Sequence, residues 1–296
     1  MEIRVLQYFL AVAREQSISA AAKSLHLSQP TLSTQLKNLE AELGKQLLIR
    51  GGNGSRKVLL TEEGRVLRKR AEEIMELVQK AEQELAAPDE IVAGDVYIGS
   101  GESDIVRLFA RAANKLREAY PDIHYHIRSG NAAFVLDQLE KGLIDFGLVY
   151  TPVDTAQYGV MRLAARDSWG VLMRKDAPLS KKERIEPQDL WDKPLIISAQ
   201  RGEDGPLSQW LRRDVSKLNV IATYNLLFNA SILVDEGFGY ALCFDKLINT
   251  EGSNLCFRPL SPQLESEPSI IWKRYQVFSK PAQKFMDKLR ECCMDG

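Results

Sequence analysis

The hydrophobic periodicity of this 296-residue chain changes near Pro88. Before that point, apolar residues recur at intervals of three and four, which is typical of helices. From Gly94 onward, short apolar strands alternate with helix-length segments, which indicates a mostly parallel sheet. Two such sets follow one another. The sequence therefore predicts an α+β protein overall, with a helical N-terminal third and a two-lobed α/β region after it.

Three short helices are predicted within the first 43 residues. Ser17 and Ser28 are suited to cap the second and third helices, and Pro30 lies in the first turn of the third, where a missing N–H costs nothing. The third helix carries an apolar stripe formed by Leu32, Leu36, Leu39 and Leu43. Its other face is polar, so the pair resembles a helix-turn-helix whose second helix can enter the major groove.

A glycine-rich segment, residues 51–57, separates two short apolar runs at residues 47–49 and 58–60. This arrangement predicts a tight hairpin, which would add a basic wing to the helix pair. Polar and basic side chains at these places suit base edges and phosphates. The candidate DNA-binding residues are Ser28, Gln29, Pro30, Thr31, Ser33, Thr34, Gln35, Lys37, Arg50, Arg56 and Lys57. A solvated turn is the alternative interpretation of the two basic residues at the hairpin tip.

A long helix is predicted from Thr61, its cap, to about residue 87. Its apolar residues are spaced by four and three, as in a coiled-coil seam. The candidate dimerisation residues are Leu67, Ala71, Ile74, Val78, Ala81 and Leu85. An amphipathic helix packed on its own domain is the alternative. A linker between two domains would have little of its own domain to pack on, which favours dimerisation.

Six segments occur in an order and spacing that resemble one family. They are QPTLSTQLKNLE at 29–40, ELGKQLLIR at 42–50, LLTEEG at 59–64, GDVYIGSG at 94–101, LEKGLIDFGLVY at 139–150 and LVDEGFGYALCF at 233–244. On these the chain resembles the LysR-type transcriptional regulators over essentially its whole length, more loosely after residue 88. Three positions depart from the family pattern: Thr34 stands where Arg is frequent, Ile49 where Phe is common, and Phe244 where Pro is usual.

The resemblance implies three parts. These are a winged helix-turn-helix DNA-binding domain (1–61), a linker and dimerisation helix (62–88) and a periplasmic-binding-protein-like effector domain (89–296) with lobes at about 89–163 with 268–296, and 164–267. It implies a cytoplasmic, sequence-specific regulator that is not an enzyme and is modulated by an inducer between the lobes. The implied partners are double-stranded DNA, a small-molecule effector, a homodimer assembling to a homotetramer, and RNA polymerase as a further candidate.

Ligand sites in sheets of this kind lie beyond the carboxyl ends of the strands. The candidate effector-binding residues at such ends are Ser100, Glu102, Ser103, Asn131, Thr151, Ser198, Arg201 and Asn225. Amides at the helix start near Ser103 would favour an anion. Glu102 and Asp104 would instead favour an amine or simply cap the helix, so the sequence leaves the charge of the effector open.

Few other functions are supported by the sequence. The net charge is −1, yet residues 1–60 hold eight Lys and Arg against four Asp and Glu, a net +4 that suits DNA. No nucleophile elbow, phosphate loop or HExxH motif occurs, and we expect no cofactor, no metal and no membrane segment. His124 and His126 share a strand face without an evident third ligand.

The alternative function is a cytosolic small-molecule-binding or thiol redox-sensing protein whose helical head serves only for assembly. Cys243 and Cys256 are the candidate thiols, although both lie in apparent strands, which favours buried and inert side chains. The charge of the wing would discriminate the two functions, because only a DNA-binding protein should lose DNA affinity when it is neutralised.

Overall fold

The computed structural model describes residues 1–51, 57–86, 91–199 and 205–294. The chain divides into two compact units, Met1–Pro88 and Asp89–Gly296. Arg56 and Arg201, two of the predicted site residues, lie outside the described residues. Each unit is described by itself.

The first unit begins with three helices that form the predicted helix-turn-helix. They are α1 (Ile3–Glu15), α2 (Ile18–Ser24) and α3 (Gln29–Leu43). Ser17 Oγ accepts from the Ala20 amide at 3.3 Å, and Ser28 Oγ accepts from the Thr31 amide at 3.2 Å. Both predicted caps are therefore confirmed. Gly44, at φ +63°, ends α3 in the left-handed conformation that favours glycine.

The predicted hairpin follows α3. Strand β1 (Leu48–Arg50) pairs antiparallel with β2 (Val58–Leu60), so the first strand lies one residue further along than the sequence indicated. The Val58 amide donates to the carbonyl of Gln16 at 2.8 Å, which ties the hairpin to the end of α1. Thr61 then caps α4 (Glu62–Ala86), because its Oγ1 accepts from the Gly64 amide at 2.9 Å.

The core of the first unit joins all of these elements. Phe9, Leu32 and Leu36 are fully enclosed among the helices and the hairpin. Leu67 packs against the same cluster and Ala71 is fully buried, so the first three turns of α4 do have their own domain to pack on. The stripe prediction for α3 was wrong at one position, since Leu43 is exposed beyond the end of the core.

The second unit is built of alternating strands and helices. Its strands are β3 (Gly94–Ser100), β4 (Ile123–Ser129), β5 (Phe146–Val149), β6 (Tyr158–Arg162), β7 (Asp167–Arg174), β8 (Leu195–Ser198), β9 (Val220–Tyr224), β10 (Tyr240–Phe244), β11 (Leu255–Pro259), β12 (Glu265–Ser266) and β13 (Ser269–Lys273). Its α-helices are α5 (Val106–Arg117), α6 (Ala132–Glu140), α7 (Pro206–Leu211), α8 (Leu227–Asp235) and α9 (Lys280–Met294).

Two sheets divide this unit into lobes. In the first lobe the strand order is β4-β3-β5-β13-β6, with β3 parallel to β4 and β5. In the second lobe the order is β11-β7-β10-β8-β9, with β12 beside β7 and with β8 parallel to β9 and β10. The chain passes between the lobes after β6 and again after β12. Helices cover both faces of each sheet, as buried parallel strands require.

Several details of the second unit differ from the sequence prediction. The apolar pattern of the sequence predicts neither β6 nor β12. It places the start of β7 at Gly170, whereas the strand begins at Asp167. The sequence pattern also predicts a helix over 207–214, but α7 ends at Leu211, where Arg212 adopts a left-handed φ of 51°. These elements are short or lie at lobe boundaries, where pairing with distant strands decides the structure rather than local periodicity.

Candidate functional site

The outward face of α3 carries polar side chains. Gln29, Thr31, Thr34 and Lys37 are exposed, whereas Ser33 and Gln35 are half-buried on the flanks of the same face. Burial of the leucine stripe fixes which way this face points, because residues three and four apart share one side of a helix. Ser28 and Pro30 at the start of α3 are exposed as well. A helix so presented can lie in a major groove.

Local hydrogen bonds limit what three of these side chains can offer to DNA. Thr34 Oγ1 donates to the carbonyl of Pro30 at 3.0 Å, and Ser28 Oγ lies 2.7 Å from Thr31 Oγ1. Lys37 forms no ion pair with any described residue. The amide of Gln29 and the ammonium of Lys37 are therefore the strongest candidates on this face for base and phosphate contacts.

Glu40 connects α3 to the hairpin, a role that the sequence analysis missed. Its Oε1 accepts from the amides of Leu47 (2.8 Å) and Leu48 (3.0 Å), and its Oε2 lies 3.8 Å from Arg50 Nη2. The acceptor pair fixes the start of β1. The ion pair offsets part of the positive charge of Arg50, so that residue supplies less free charge for phosphates than expected. Lys57, at the other side of the hairpin, is exposed.

A cavity of about 400 Å³ lies between the two lobes of the second unit. Four of the predicted effector residues line it: Glu102, Thr151, Ser198 and Asn225. Ser198 is the last residue of β8, and the other three lie in loops that follow β3, β5 and β9. All four are therefore at the carboxyl ends of parallel strands, as expected. The volume falls within the range of small-molecule sites.

Three predicted effector residues do not line this cavity. Ser100 is buried and donates to the carbonyl of Gly101 at 2.6 Å, and Asn131 Oδ1 caps α6 by accepting from the Phe134 amide at 2.8 Å. Ser103 is buried and bonds to a carboxylate of the other lobe. Each of these hydroxyl or amide groups satisfies a local structural need, which a polar residue at a loop start does as often as it binds a ligand.

Aromatic side chains form much of the cavity wall. Phe244 lies between Tyr150, with ring centroids 5.0 Å apart, and Trp169, with centroids 4.5 Å apart in an edge-on arrangement. Tyr224 is a further aromatic residue of the lining. Phe244 is the residue that departs from the family pattern, and Trp169 lies in the unpredicted first part of β7. Only their positions beside strand ends could have indicated them.

A buried polar cluster joins the lobes beside the cavity. The Ser103 hydroxyl donates to Asp167 Oδ2 at 2.6 Å, and the Tyr150 hydroxyl also bonds to that carboxylate. Burial raises the pKa of Asp167, although the two hydroxyl hydrogen bonds act in the opposite direction. Burial and the nearby carboxylate raise the pKa of Tyr150 far above its usual range, so it stays a neutral donor.

The candidate thiols and histidines show no reactive arrangement. Cys243 and Cys256 are buried, and burial raises the pKa of both thiols, which favours inert side chains. His126 Nε2 lies 2.7 Å from Asp95 Oδ1, and its ring stacks on Tyr97 with centroids 4.6 Å apart. Within the described ranges, no group of three potential metal ligands occurs, and no helix is long and apolar enough to cross a membrane.

Two family models cover nearly all of the chain. Residues 3–65 match the bacterial regulatory helix-turn-helix protein of the lysR family, and residues 90–293 match the LysR substrate binding domain. The chain belongs to the LysR family. The two matched segments coincide with the helix-turn-helix with its hairpin and with the two-lobed unit, so both surfaces described above lie in the parts that define a LysR-family protein.

Relatives of this LysR-family chain are named as regulators of transcription. The HTH-type transcriptional regulator BsdA of Bacillus subtilis (strain 168) is 31% identical over 299 residues, which span 97% of this chain and 99% of BsdA. The Hca operon transcriptional activator HcaR of Escherichia coli (strain K12) is 29% identical over 289 residues, spanning 95% of this chain and 94% of HcaR.

Solved structures share the fold. The crystal structure of CbnR, a LysR family transcriptional regulator, superposes with a TM-score of 0.78 at 18% identity and covers 99% of each chain. Full-length CbnR in complex with its target DNA gives a TM-score of 0.77 at 19% identity, covering 99% of this chain and 100% of that one. The LysR-family architecture is thus shared along the full length.

Proposed function

We propose that this LysR-family protein is a sequence-specific DNA-binding transcriptional regulator, and not an enzyme, whose DNA binding responds to a small molecule held between its lobes. The exposed polar face of α3 is the observation on which the proposal rests. The hydrophobic core of the first unit, called the head below, leaves that face exposed, and the hairpin of β1 and β2 follows it. The names of the relatives and the DNA complex of CbnR support it. Its place of action would be the cytoplasm, where bacterial DNA lies.

In this proposal α3 enters the major groove and the hairpin contacts the backbone. Gln29, Thr31 and Gln35 would face base edges, while Lys37 and Lys57 would contact phosphates. Arg56, outside the described residues, stays a predicted phosphate contact. The net +4 of residues 1–60 is modest, so a single head should bind weakly and specificity should come from two heads on one site.

The distal part of α4 supports assembly. Ala81 and Leu85 are exposed, and Ile74 and Val78 are half-buried, so the second half of the predicted seam remains available after Leu67 and Ala71 have packed on the head. We propose that two copies pair along it, and that a dimer of dimers forms the working homotetramer. The double variant Ala81→Lys/Leu85→Lys should shift the sedimentation coefficient toward the monomer, whereas Val66→Lys, exposed but off the seam, should not.

Gel-shift binding to the DNA beside the protein's own gene tests DNA recognition. Gln29→Ala should lower affinity for the specific site by about 1–3 kcal/mol and leave random DNA nearly unaffected. Gln79→Ala, an exposed glutamine on α4, is the matched control and should change neither. Equal retention of specific and random DNA by the unmodified protein would contradict the proposal.

The salt dependence of DNA binding tests the proposed contact between Lys37 and a phosphate. Lys37→Gln should reduce the slope of log affinity against log salt by about 0.9, because each phosphate contact releases condensed counterions. Lys69→Gln, an exposed lysine of α4, serves as its control. If neutralising Lys37, Arg50 and Lys57 together left DNA affinity unchanged, a small-molecule-binding protein with an assembly-only head would be the better interpretation.

A further inference from the structure

The cavity between the lobes has one charged side chain among the described residues that line it, the carboxylate of Glu102. This carboxylate accepts a hydrogen bond from the backbone amide of Leu227, at the start of α8 in the opposite lobe. Glu102 thereby satisfies a helix amino end with a negative charge of the protein itself. An anionic effector placed there would meet this carboxylate rather than free amide donors.

The aromatic wall offers ring faces and few polar atoms. Trp169 Nε1 donates to Ser266 Oγ at 2.9 Å, and the Tyr224 hydroxyl donates to the carbonyl of Leu242 at 2.7 Å. The Tyr150 hydroxyl is held by Asp167. Because these polar atoms already have partners within the protein, what remains for a ligand is aromatic surface, which attracts apolar groups and cations.

Among the described polar side chains that line the cavity, those of Thr151 and Asn225 can orient a ligand. Thr151 and Asn225 are exposed, and neither forms a side-chain hydrogen bond with a described residue. They come from different lobes, so a ligand that contacts both would hold the lobes together. Their groups donate and accept, and they do not alter the charge preference that Glu102 sets.

We propose that this cavity binds a small organic amine, with its apolar body against the rings of Trp169 and Phe244 and its ammonium group paired with Glu102. The carboxylate supplies the counter-charge that a partly desolvated ammonium requires, and the rings add cation–π attraction. This inference rests on the proposal that the cavity is the effector site, and it names the chemical class of that effector.

Three probes of one shape test the charge preference in the full-length protein. Phenethylamine, 2-phenylethanol and 3-phenylpropionate share a phenylethyl body and differ in the terminal group. In calorimetric titrations we expect phenethylamine to bind about tenfold or more tightly than the alcohol, and the carboxylate to bind most weakly. Affinity should also rise from propylamine through phenethylamine to tryptamine as more aromatic surface is buried.

Two variants test whether Glu102 causes the preference for the amine. Glu102→Gln keeps an oxygen that can accept from the Leu227 amide, so the fold should persist while the advantage of the amine over the alcohol falls to about twofold or less. Asp104→Asn is the matched control, since Asp104 pairs with Arg107 and does not line the cavity, and it should keep that advantage. Phe244→Leu should weaken tryptamine more than propylamine.

The outcomes separate this inference from the proposed function. Tighter binding of 3-phenylpropionate than of phenethylamine, or no binding by any amine of the series, would overturn the amine assignment. Specific DNA retention in the gel shift would still support the regulator in either case. Amine binding without specific DNA retention would instead leave the cavity assignment intact and refute the regulator.

Discussion

The exposed face of α3 and the cavity between the lobes are assembled from the chain in opposite ways. The α3 face uses consecutive residues of one helix, and a local leucine stripe determines its direction. The cavity gathers side chains from positions 102 to 266, which lie on strands of two sheets, on the loops that follow them and on α7. A continuous surface of this kind can be predicted from sequence residue by residue, whereas the cavity depends on which strand ends meet.

The largest effect is expected from removing the core that directs the polar face of α3. Leu36→Ala should destabilise the first unit by about 2–5 kcal/mol, because the side chain is fully buried and leaves a cavity. Urea unfolding followed by circular dichroism would measure the change. Leu43→Ala, the exposed member of the same stripe, should cost well under about 1 kcal/mol. Equal losses would show that the stripe does not act as the core.

A smaller effect is expected where α3 meets the hairpin. Glu40→Ala should cost about 1.5–3 kcal/mol, since two amides at the start of β1 lose a charged acceptor. The same unfolding assay would check it, and specific DNA binding should weaken in parallel as the hairpin loosens. Glu42→Ala, at an exposed neighbour whose ion-pair partner among the described residues is the Met1 ammonium, should stay within about 0.5 kcal/mol.

In the second unit, Phe244→Ala removes a ring that contacts two others. Its loss should cost about 1–3 kcal/mol, from two aromatic contacts of about 0.5–1.5 kcal/mol each. Tryptophan fluorescence suits the measurement, because all four tryptophans lie in this unit. Phe228→Ala is the control, since that ring is 64% exposed. If Phe244→Ala left the free energy of unfolding unchanged, the aromatic wall would contribute nothing to stability.

The smallest effect concerns the Asp167 carboxyl, whose pKa is raised mainly by burial. A raised pKa means that the folded state binds more protons than the unfolded state between the two pKa values. The stability that protonated Asp167 contributes is therefore present at low pH, and it is lost as the pH rises through the pKa of Asp167 in the folded state. Relative to Asp167→Asn, the unmodified protein should therefore become less stable as pH rises from about 4.

Asp154, whose pKa is lowered rather than raised, provides the control. Hydrogen bonds from the Ala156 amide and Gln157 lower the pKa of Asp154, so stability relative to Asp154→Asn should rise with pH through the unfolded pKa. Thermal unfolding between pH 3 and pH 7, in about unit steps, would show both slopes. Slopes of the same sign would contradict the assignment of burial as the cause at Asp167, where Asp104 and Lys246 exert only weaker, opposing effects.

Elements whose structure is decided by neighbouring residues could be predicted from the sequence. The caps at Ser17, Ser28 and Thr61 and the hairpin pairing depend on neighbouring residues, and the structure has all of them. Prediction from the sequence is weaker where a group serves a distant element. The sequence predicts Ser103 as a ligand contact, but its hydroxyl donates to Asp167, 64 residues away.

The same limit explains the unpredicted cavity wall. Trp169 lies in a strand whose first residues pair with β12, a two-residue strand that no periodicity could indicate. Glu40 carries no sequence signal for its contact with the hairpin, because its partners are backbone amides. The role of such a group can be assigned only when the register of distant segments is known, because every non-proline residue has the same backbone amide.

The bonds from Glu40 to the start of β1 also bear on how operator preference can change. A graft of residues 29–39 from another family member would exclude Glu40, the residue that holds the hairpin. A graft that includes position 40 but not β1 would bring in a side chain fitted to a different strand. The helix and the first strand of the wing therefore form one exchangeable cassette, from Ser28 to Arg50. Redesign of specificity should transplant that cassette whole.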